Sequence, residues 1–392
     1  MLTMRKRVLF IIGCLDSGGV AKSLVTLMNV IDKQKYDIHL LILSSVQGPF
    51  VQYLPTDITI HKDERIAGLV DGKAGLIPLI SKGHIWLAFC SIIRMLISQF
   101  DKAYSGLLLA KLMPTLNIGE FDVVVDYGGQ HLLYYMVDKI RGRKKISYFH
   151  NDYSCWDFYY KVDRKYLPLV DYVVVITEVC RKSLICYFPE IEKKVFVIEN
   201  IVSPKLLQQQ AKESINEDDF FRDNFVLLTI GHVCNRKGFD FALEAANLMV
   251  KRGLKFKWVF IGSYTEEHVK MVSGMGLKNI MFFYGIRSNP YPYIAKSQML
   301  VHPARFESQA LVVSEARLLC KPIVVTRFST VKDILLEGVN ASVSEMNAKS
   351  LADKIEELIL DKELRDSYIQ YHKNHVIDNS GEIQKLYSFF EE

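Results

Sequence analysis

The sequence lacks paired cysteines and any zinc-type cysteine spacing. Its seven cysteines are scattered over 392 residues and form no CxxC pair (positions 14, 90, 155, 180, 186, 234 and 320). A disulfide framework or a structural zinc site would need closely and regularly spaced cysteines. The pattern therefore argues against both, and it indicates reduced thiols in a cytoplasmic protein.

Long apolar runs are also absent. The longest, Ile85 to Ile97, is interrupted by Arg94 and is shorter than the roughly 20 residues that span a bilayer. The N-terminal run RVLFIIG imitates the core of a signal peptide, but it is short and has no small-residue cleavage site after it. We expect a buried first strand there and no transmembrane helix.

A strong charge of either sign is missing as well. The net charge of +5 is too small to indicate a nucleic-acid partner. Residues 1–200 contain 25 Lys/Arg and 20 Asp/Glu, whereas residues 201–392 contain 24 of each. The excess in the first half indicates either an anionic partner, such as a membrane surface, or a solvated basic face.

Short apolar runs alternate with helical patterns along the chain, which predicts α/β architecture with parallel, doubly wound sheets. The series stops in the polar stretch 203–224 and then begins again. We therefore predict two Rossmann-like domains, at 1–202 and 225–379, with 203–224 as an inter-domain linker. Residues 380–392 are candidates for packing back on the first domain.

The segment 71–120 has a helical, apolar pattern with interspersed Lys and Arg, and it leaves two interpretations open. One is a pair of helices at a membrane interface with basic side chains reaching the lipid head groups. The other is an insertion that packs on its own domain. The basic run at 139–145, KIRGRKK, could add to such a surface or form a solvated loop.

Loops after the carboxyl ends of parallel strands are the usual ligand sites of such sheets. Gly18 and Gly19 follow the first predicted strand, where glycine allows a phosphate or a sugar to approach the backbone, although a tight turn is equally compatible. No GxGxxG dinucleotide fingerprint is present. His150 follows the strand ISYF, and its strand-end position favours ligand contact.

The segment 231–240, GHVCNRKGFD, predicts a phosphate site between a strand and a helix. Lys237 precedes Gly238 at the helix entrance, where a cation and free backbone N–H groups can bind a diphosphate. The same groups would stabilise the charge on a departing diphosphate. Arg236 either assists or points to solvent.

Two glutamates eight positions apart surround an apolar run in ARFESQALVVSEARLLCKPIVVT. Glu307 lies in a predicted loop, and Glu315 lies in the helix predicted for 309–319. A helix that starts near Ser308 would present backbone N–H groups to an anion. The donors would come from Gln309, Ala310 and Leu311. Carboxylates accept strong hydrogen bonds from sugar hydroxyls, so Glu307 could bind a sugar and Glu315 a ribose.

These motifs, taken with Asn289-Pro290-Tyr291 and Lys321-Pro322-Ile323-Val324, resemble the C-terminal half of retaining GT-B glycosyltransferases, the glycosyl transferases group 1. The most similar group is the bacterial enzymes of capsular polysaccharide, exopolysaccharide and lipopolysaccharide synthesis. The N-terminal GGVAKSL and Glu199-Asn200 also resemble that family. The resemblance implies two Rossmann-like domains that face each other across a cleft.

The resemblance further implies a UDP-sugar as donor substrate, a glycan or lipid-linked acceptor, no cofactor and no divalent metal. It makes Glu307, Lys237 and His150 the catalytic candidates. The candidates for nucleotide-sugar contact are Gly18, Gly19, Gly231, His232, Arg236, Lys237, Gln309, Ala310, Leu311 and Glu315. Such an enzyme is cytoplasmic and can bind peripherally to the inner face of the cell membrane.

Two features depart from the family pattern. His232 stands where the family usually has arginine, which makes Arg236 the candidate for a second phosphate contact. Glu307-Ser308-Gln309-Ala310 lacks the usual glycines, so the identity of the donor sugar cannot be inferred from the family. The alternatives are a UDP-sugar 2-epimerase of the same fold and a non-catalytic partner subunit that binds a sugar nucleotide or a glycan.

Overall fold

The computed structural model describes residues 5–15, 18–46, 48 and 50–392. The chain divides into two compact units. The first contains Met1–Ile201 and Ser380–Glu392, and the second contains Val202–Asn379.

A parallel sheet of seven strands forms the centre of the first unit, in the order β3-β2-β1-β4-β5-β6-β7. The strands are β1 (Lys6–Ile12), β2 (Tyr36–Ile42), β3 (Thr59–His61), β4 (Phe121–Asp126), β5 (Gly142–Phe149), β6 (Tyr172–Val175) and β7 (Val195–Val197). Its helices are α1 (Gly19–Val30), α2 (Glu64–Val70), α3 (Lys73–Ser81), α4 (Ile85–Ile97), α5 (Lys102–Leu112), α6 (His131–Lys139), α7 (Tyr160–Tyr166) and α8 (Glu178–Tyr187).

Both faces of this sheet are covered, which explains why its strands are apolar without alternation. In β1, Leu9 and Ile11 belong to one hydrophobic core, whereas Val8, Phe10 and Ile12 belong to another. The short run RVLFIIG thus contains an interior strand of the first sheet, buried from Val8 to Ile12.

The second unit contains a parallel sheet of six strands in the order β10-β9-β8-β11-β12-β13. The strands are β8 (Val226–Ile230), β9 (Lys257–Ile261), β10 (Met281–Gly285), β11 (Met299–His302), β12 (Ile323–Thr326) and β13 (Ser342–Ser344). Its helices are α9 (Pro204–Gln210), α10 (Asp218–Asp223), α11 (Phe239–Lys251), α12 (Glu266–Gly274), α13 (Tyr291–Lys296), α14 (Leu311–Leu318), α15 (Val331–Ile334), α16 (Ala348–Leu360) and α17 (Lys362–Asn374).

Residues 203–224, the predicted inter-domain linker with some helix, form α9 and α10 and belong to the second unit. Leu207 and Phe221 are buried in the same hydrophobic core as the strand residues Val226 and Leu228. The polar composition misled because two short helices each bury only a narrow apolar stripe and expose the rest.

The C-terminal helix α18 (Glu382–Glu391) belongs to the first unit. Its Phe390 ring packs edge-on against Phe10 of β1 and Tyr36 of β2, with centroids 6.5 and 5.2 Å away. The chain therefore leaves the first unit after Ile201 and returns to it at Ser380.

The segment 71–120 consists mainly of α3, α4 and α5, which connect β3 to β4 within the first unit. Leu79, Ala88 and Ala103 are buried in the hydrophobic core of that unit. No helix in the described parts of the chain has both the length and the apolar character needed to cross a membrane.

Candidate functional site

The strand order of the second sheet reverses between β8 and β11, and this reversal brings two chemically important loops together. Chain connections run outward from β8 toward β10 on one side and from β11 toward β13 on the other. Such a switch point leaves a crevice at the carboxyl ends of the two central strands. Lys237 lies in the loop after β8, and Glu307 lies in the loop after β11.

The loop after β8 lies directly against the end of β11. Gly238 has a φ of 72°, and a Cβ atom at this position would lie 1.8 Å from the carbonyl oxygen of Pro303. The backbone N–H of Arg305 also donates to the carbonyl of Arg236 over 3.0 Å. Glycine at 238 therefore permits the close backbone approach that places Lys237 beside the β11 loop.

Lys237, Glu307 and His302 form one hydrogen-bonded group. The Nζ of Lys237 donates to Oε1 of Glu307, and Nε2 of His302 lies 2.8 Å from the same oxygen. Burial alone would raise the pKa of Glu307, but the hydrogen bonds and charges of His302 and Lys237 outweigh it and lower the pKa to about 2. The Glu307 carboxylate is therefore ionised at neutral pH.

An ion pair that no sequence motif indicates supports this loop. The guanidinium of Arg305 donates to both carboxylate oxygens of Asp240 over 2.6 and 2.5 Å. It also lies 3.7 Å from the centre of the Phe241 ring. Because Asp240 and Phe241 belong to the first turn of α11, this pair fixes the β11 loop to that helix.

Glu315 is buried inside α14, with a relative exposure of 4 %. The Tyr291 hydroxyl donates to its Oε1 over 3.4 Å. Tyr291 is held in turn by Asn289, whose Oδ1 accepts from the Tyr291 backbone N–H over 3.1 Å. The motif Asn289-Pro290-Tyr291 thus positions a polar neighbour for the buried carboxylate.

The helix that follows Glu307 begins later than predicted. It starts at Leu311, and Ala310 precedes it in the left-handed conformation with a φ of 48°. Gln309 therefore lies in the loop and contributes no helical N–H group. Of the three predicted donors, Leu311 alone lies in the first turn of α14.

His232 and Arg236 lie near the same switch point and are both exposed. Nδ1 of His232 forms a hydrogen bond with the hydroxyl of Ser263, in the loop after β9. Gly231, directly after β8, has a φ of 146°. Arg236 belongs to the short 3₁₀ helix Asn235–Lys237, one position before the lysine of the group described above.

In the first unit, His150 follows β5 and is buried, with a relative exposure of 7 %. Its ring stacks on Tyr148 at 5.6 Å and lies 4.7 Å from Tyr127, centre to centre. Neither ring nitrogen has a hydrogen-bond partner within the described residues. Burial lowers the pKa of His150 to about 3, so the imidazole is neutral.

Asp126, at the end of β4, is a second buried polar group, and no sequence motif indicates its role. Its Oδ1 accepts from the backbone N–H groups of Gly128 and Gly129 over 3.0 and 2.8 Å, and its Oδ2 accepts from the Ser147 hydroxyl over 2.7 Å. Burial raises the pKa of Asp126 to about 7, although these hydrogen bonds oppose the shift. The carboxyl group fixes the turn that leads into α6.

Gly18 and Gly19 lie at the start of α1, after β1. Gly18 precedes the helix with a φ of 104°, and Gly19 is its first residue. The carboxyl ends of β1, β4 and β5 lie along one edge of the first sheet, so this turn, Asp126 and His150 share that edge. The structure therefore groups the predicted residues in two sets, one in each unit.

Comparison with known proteins relates the second unit to an enzyme family and the whole chain to a known fold. Residues 210–375 match the family model of glycosyl transferases group 1. The chain is 25% identical to alpha-D-kanosaminyltransferase of Streptomyces kanamyceticus, over 37% of this chain and 39% of that protein. It is 27% identical to the capsular polysaccharide biosynthesis glycosyltransferase CapM of Staphylococcus aureus, over 37% and 39%.

A third relative is the poly(ribitol-phosphate) alpha-N-acetylglucosaminyltransferase of Staphylococcus aureus, with 25% identity over 48% of this chain and 36% of that protein. The chain thus matches less than half of the length of each of these curated relatives.

Solved structures match over nearly the whole chain. Anabaena HepE in complex with UDP and glucose has a TM-score of 0.70 at 15% identity and covers 99% of this chain and 100% of its own. A mutant of S. aureus TarM in complex with Fondaparinux, alpha-GlcNAc-glycerol and UDP has a TM-score of 0.69 at 13% identity, over 99% and 100%.

WaaG, a glycosyltransferase involved in lipopolysaccharide biosynthesis, has a TM-score of 0.65 at 13% identity, over 97% of this chain and 98% of its own. These likenesses confirm the predicted GT-B fold with its two parallel α/β sheets.

Proposed function

We propose that this chain, which carries a glycosyl transferases group 1 domain in residues 210–375, is a retaining glycosyltransferase that uses a UDP-sugar as donor. The acceptor is a glycan or a lipid-linked saccharide in the synthesis of a cell-surface polysaccharide. Support for this pathway comes from the names of CapM, the poly(ribitol-phosphate) enzyme and WaaG.

The observation that carries the proposal is the group of Lys237, Glu307 and His302 at the switch point of the second sheet. It combines a cation, an ionised carboxylate and an imidazole where open α/β sheets bind ligands. A purely structural ion pair would not need to lie at that edge, beside the N-terminus of α14.

Lys237 binds the donor diphosphate in this proposal. Because its ammonium is paired with Glu307, an arriving diphosphate must replace the carboxylate as its partner. Glu307 is then available to accept hydrogen bonds from hydroxyl groups of the donor sugar. The low pKa of Glu307 keeps it charged for that role.

Glu315 binds the ribose hydroxyls of the nucleotide. Glu315 is a buried residue of α14, the helix that follows the Glu307 loop. Tyr291, at the start of α13, contacts its carboxylate. A carboxylate held in this way can accept both vicinal hydroxyls in short, charge-assisted hydrogen bonds.

The transfer step breaks the bond between the anomeric carbon and the diphosphate oxygen, and the diphosphate leaves with the electron pair. A new bond forms between that carbon and the acceptor oxygen, on the same face of the sugar. The acceptor proton passes to the departing phosphate. Lys237 and the first N–H groups of α14 stabilise the growing negative charge, which makes the reaction metal-independent.

The first unit supplies the acceptor contacts. A neutral imidazole can donate one hydrogen bond and accept another, so His150 suits a sugar hydroxyl. The turn at Gly18 and Gly19 allows close approach of a ligand to the backbone.

The test is incubation of the purified full chain with a panel of UDP-sugars. Polyprenyl-diphosphate-linked saccharides and soluble glycans serve as acceptors. UDP release that requires an acceptor, with a new glycosidic product of unchanged anomeric configuration, supports the proposal. Isomerisation of the donor without UDP release would instead identify an epimerase, and binding without turnover would identify a non-catalytic subunit. A Lys237→Ala variant is the control for contaminating activity.

A further inference from the structure

Helix α4 of the first unit exposes most of its large apolar side chains to solvent, whereas a surface helix of a soluble domain usually buries them. Six large apolar residues are exposed at positions i, i+1, i+4, i+7, i+8 and i+11, which form one stripe along a helix. They are Ile85, Trp86, Phe89, Ile92, Ile93 and Leu96.

The opposite face of α4 is turned inward and is mostly small or polar, apart from Leu87, which packs against the core. Ala88 and Ser91 are buried against the domain. The guanidinium of Arg94 donates to the carbonyl of Leu69 over 3.4 Å, and the Ser105 hydroxyl donates to the carbonyl of Arg94 over 3.1 Å. The helix orientation is therefore fixed by its polar side, and the exposed stripe is not a consequence of loose packing.

The stripe is part of a concentrated apolar surface. More than a third of the exposed large apolar side chains in the described chain lie between Ile77 and Tyr104. Phe100, just after α4, is the most exposed of them. Single exposed apolar residues are normal on a protein surface, but a contiguous group of this kind marks an interaction surface.

The charges around the stripe favour an anionic partner. Residues 73–112 contain five basic side chains and one acidic side chain, Asp101. Lys73 and Lys82 precede α4 in the chain and Lys102 follows it, and all three are exposed. Lys82 and Lys111 also pair with Glu64 and Asp138. An apolar face with tryptophan and phenylalanine, flanked by lysines, is the composition of a helix that lies in a membrane interface.

A second copy of the chain fits the stripe less well. In a pair of copies joined through this stripe, the basic side chains around one α4 would face those around the other, because residues 73–112 carry five basic side chains and one acidic side chain. An anionic bilayer instead presents opposite charge to these cations.

The basic run at 139–145 is a weaker candidate for membrane contact because it exposes no large apolar side chain. Arg141 and Arg143 lie 3.8 and 3.6 Å from the carboxylates of Glu120 and Asp122. Lys144 and Lys145 donate to the backbone carbonyls of Phe389 and Val137.

We propose that α4 docks the first unit on an anionic phospholipid bilayer, with the helix parallel to the surface and Trp86, Phe89 and Ile93 in the acyl-chain boundary. This surface goes beyond the proposed transfer reaction. It would hold the enzyme where a lipid-linked acceptor is found.

The experiment measures co-sedimentation of the full chain with phosphatidylcholine vesicles that contain either no phosphatidylglycerol or a quarter of it. The wild type should bind the anionic vesicles at low salt, and brominated acyl chains should quench Trp86 fluorescence. The double variant Trp86→Ser/Phe89→Ser should partition at least tenfold less. Its thermal unfolding should match that of the wild type, because both side chains are exposed.

Two matched controls separate the stripe from general effects. Leu360→Ser removes an apolar side chain of similar exposure, 68 % against 69 % for Trp86, in the second unit, and it should leave binding unchanged. Arg141→Gln/Arg143→Gln should also bind normally. The proposal is overturned if the wild type does not bind, if the Trp86/Phe89 variant binds equally, or if the wild type is a dimer that this variant converts to a monomer. Vesicle binding needs no sugar, so its failure is distinct from a failure of UDP-dependent transfer.

Discussion

The side-chain nitrogen of Lys237 donates a hydrogen bond to Oε1 of Glu307, although the two residues are 70 positions apart in the sequence. Each follows a different central strand of the second sheet, and the reversal of strand order between β8 and β11 makes them neighbours. The pair links the cation proposed for the diphosphate to the carboxylate proposed for the sugar.

Lys237→Ala should lower turnover more than it changes the KM for the donor. The ammonium stabilises negative charge that grows as the diphosphate leaves, and loss of one such group lowers kcat by about 10²-fold or more. Initial rates over a range of UDP-sugar concentrations measure both constants. Lys270→Ala, at an exposed position on α12, is the matched control. An unchanged kcat in Lys237→Ala would remove the lysine from the mechanism.

Glu315→Ala, in the second unit, should weaken UDP binding. Loss of a charge-assisted hydrogen bond to the ribose costs about 1.5–3 kcal/mol, or roughly 10- to 150-fold in Kd. Titration calorimetry with UDP measures this change. Glu315→Gln keeps the shape and the contact with Tyr291, and Glu244→Ala removes an exposed glutamate on α11. Equal affinity in wild type and Glu315→Ala contradicts the ribose assignment.

Gly238→Ala should destabilise the second unit strongly. Its Cβ would lie 1.8 Å from the carbonyl oxygen of Pro303, so the loop carrying Lys237 must move away from β11. Gly253 is a matched control at the other end of α11, since it has a φ of 79° but no heavy atom within 4 Å of the position that an added Cβ would occupy. Alanine in this backbone conformation costs about 1–2 kcal/mol at either position. Gly238→Ala should therefore lower the Tm clearly more than Gly253→Ala, and equal shifts would show that the contact with Pro303 does not constrain the loop.

Asp126→Asn should change how stability depends on pH. Burial raises the pKa of Asp126 to about 7 in the folded state, against an ordinary value of 3.8. Its favourable contribution is thus complete below about pH 4 and is lost as the pH rises through 7. Asparagine carries no such charge, so the Tm of the variant relative to wild type should rise between pH 5 and pH 7.5.

The slope of this difference cannot exceed about 1.4 kcal/mol per pH unit for one group. His150, whose pKa is lowered to about 3, contributes with the opposite sign, but it is present in both proteins and cancels in the comparison. A Tm difference that stays constant across this pH range would mean that Asp126 is ionised in the folded protein throughout.

Interior strands are predictable from the sequence because burial on both faces makes them continuous apolar runs. The runs at 7–13, 225–230 and 323–325 are of this kind, and they correspond closely to β1, β8 and β12. No local pattern predicts β3 and β13, because each has three residues and β13 reads Ser-Val-Ser without an apolar run. Their positions at sheet edges are set by tertiary contacts that no local pattern contains.

The candidate site was predictable in its parts but not in its contacts. Position after a strand was enough to select Lys237, Glu307 and His150, and the same signal was available for His302 at the end of β11. Which oxygen each cation contacts depends on the strand order, which the sequence of elements along the chain does not contain. The predicted start of α14 was too early, because Ala310 adopts a left-handed conformation that is rare for alanine.

A crystal structure of the protein with UDP tests the central claim most directly. The account predicts that a diphosphate oxygen lies within about 3 Å of the Lys237 Nζ, that Glu307 no longer receives its hydrogen bond, and that the ribose hydroxyls contact Glu315. UDP bound elsewhere, with the hydrogen bond between Lys237 and Glu307 intact, would contradict it.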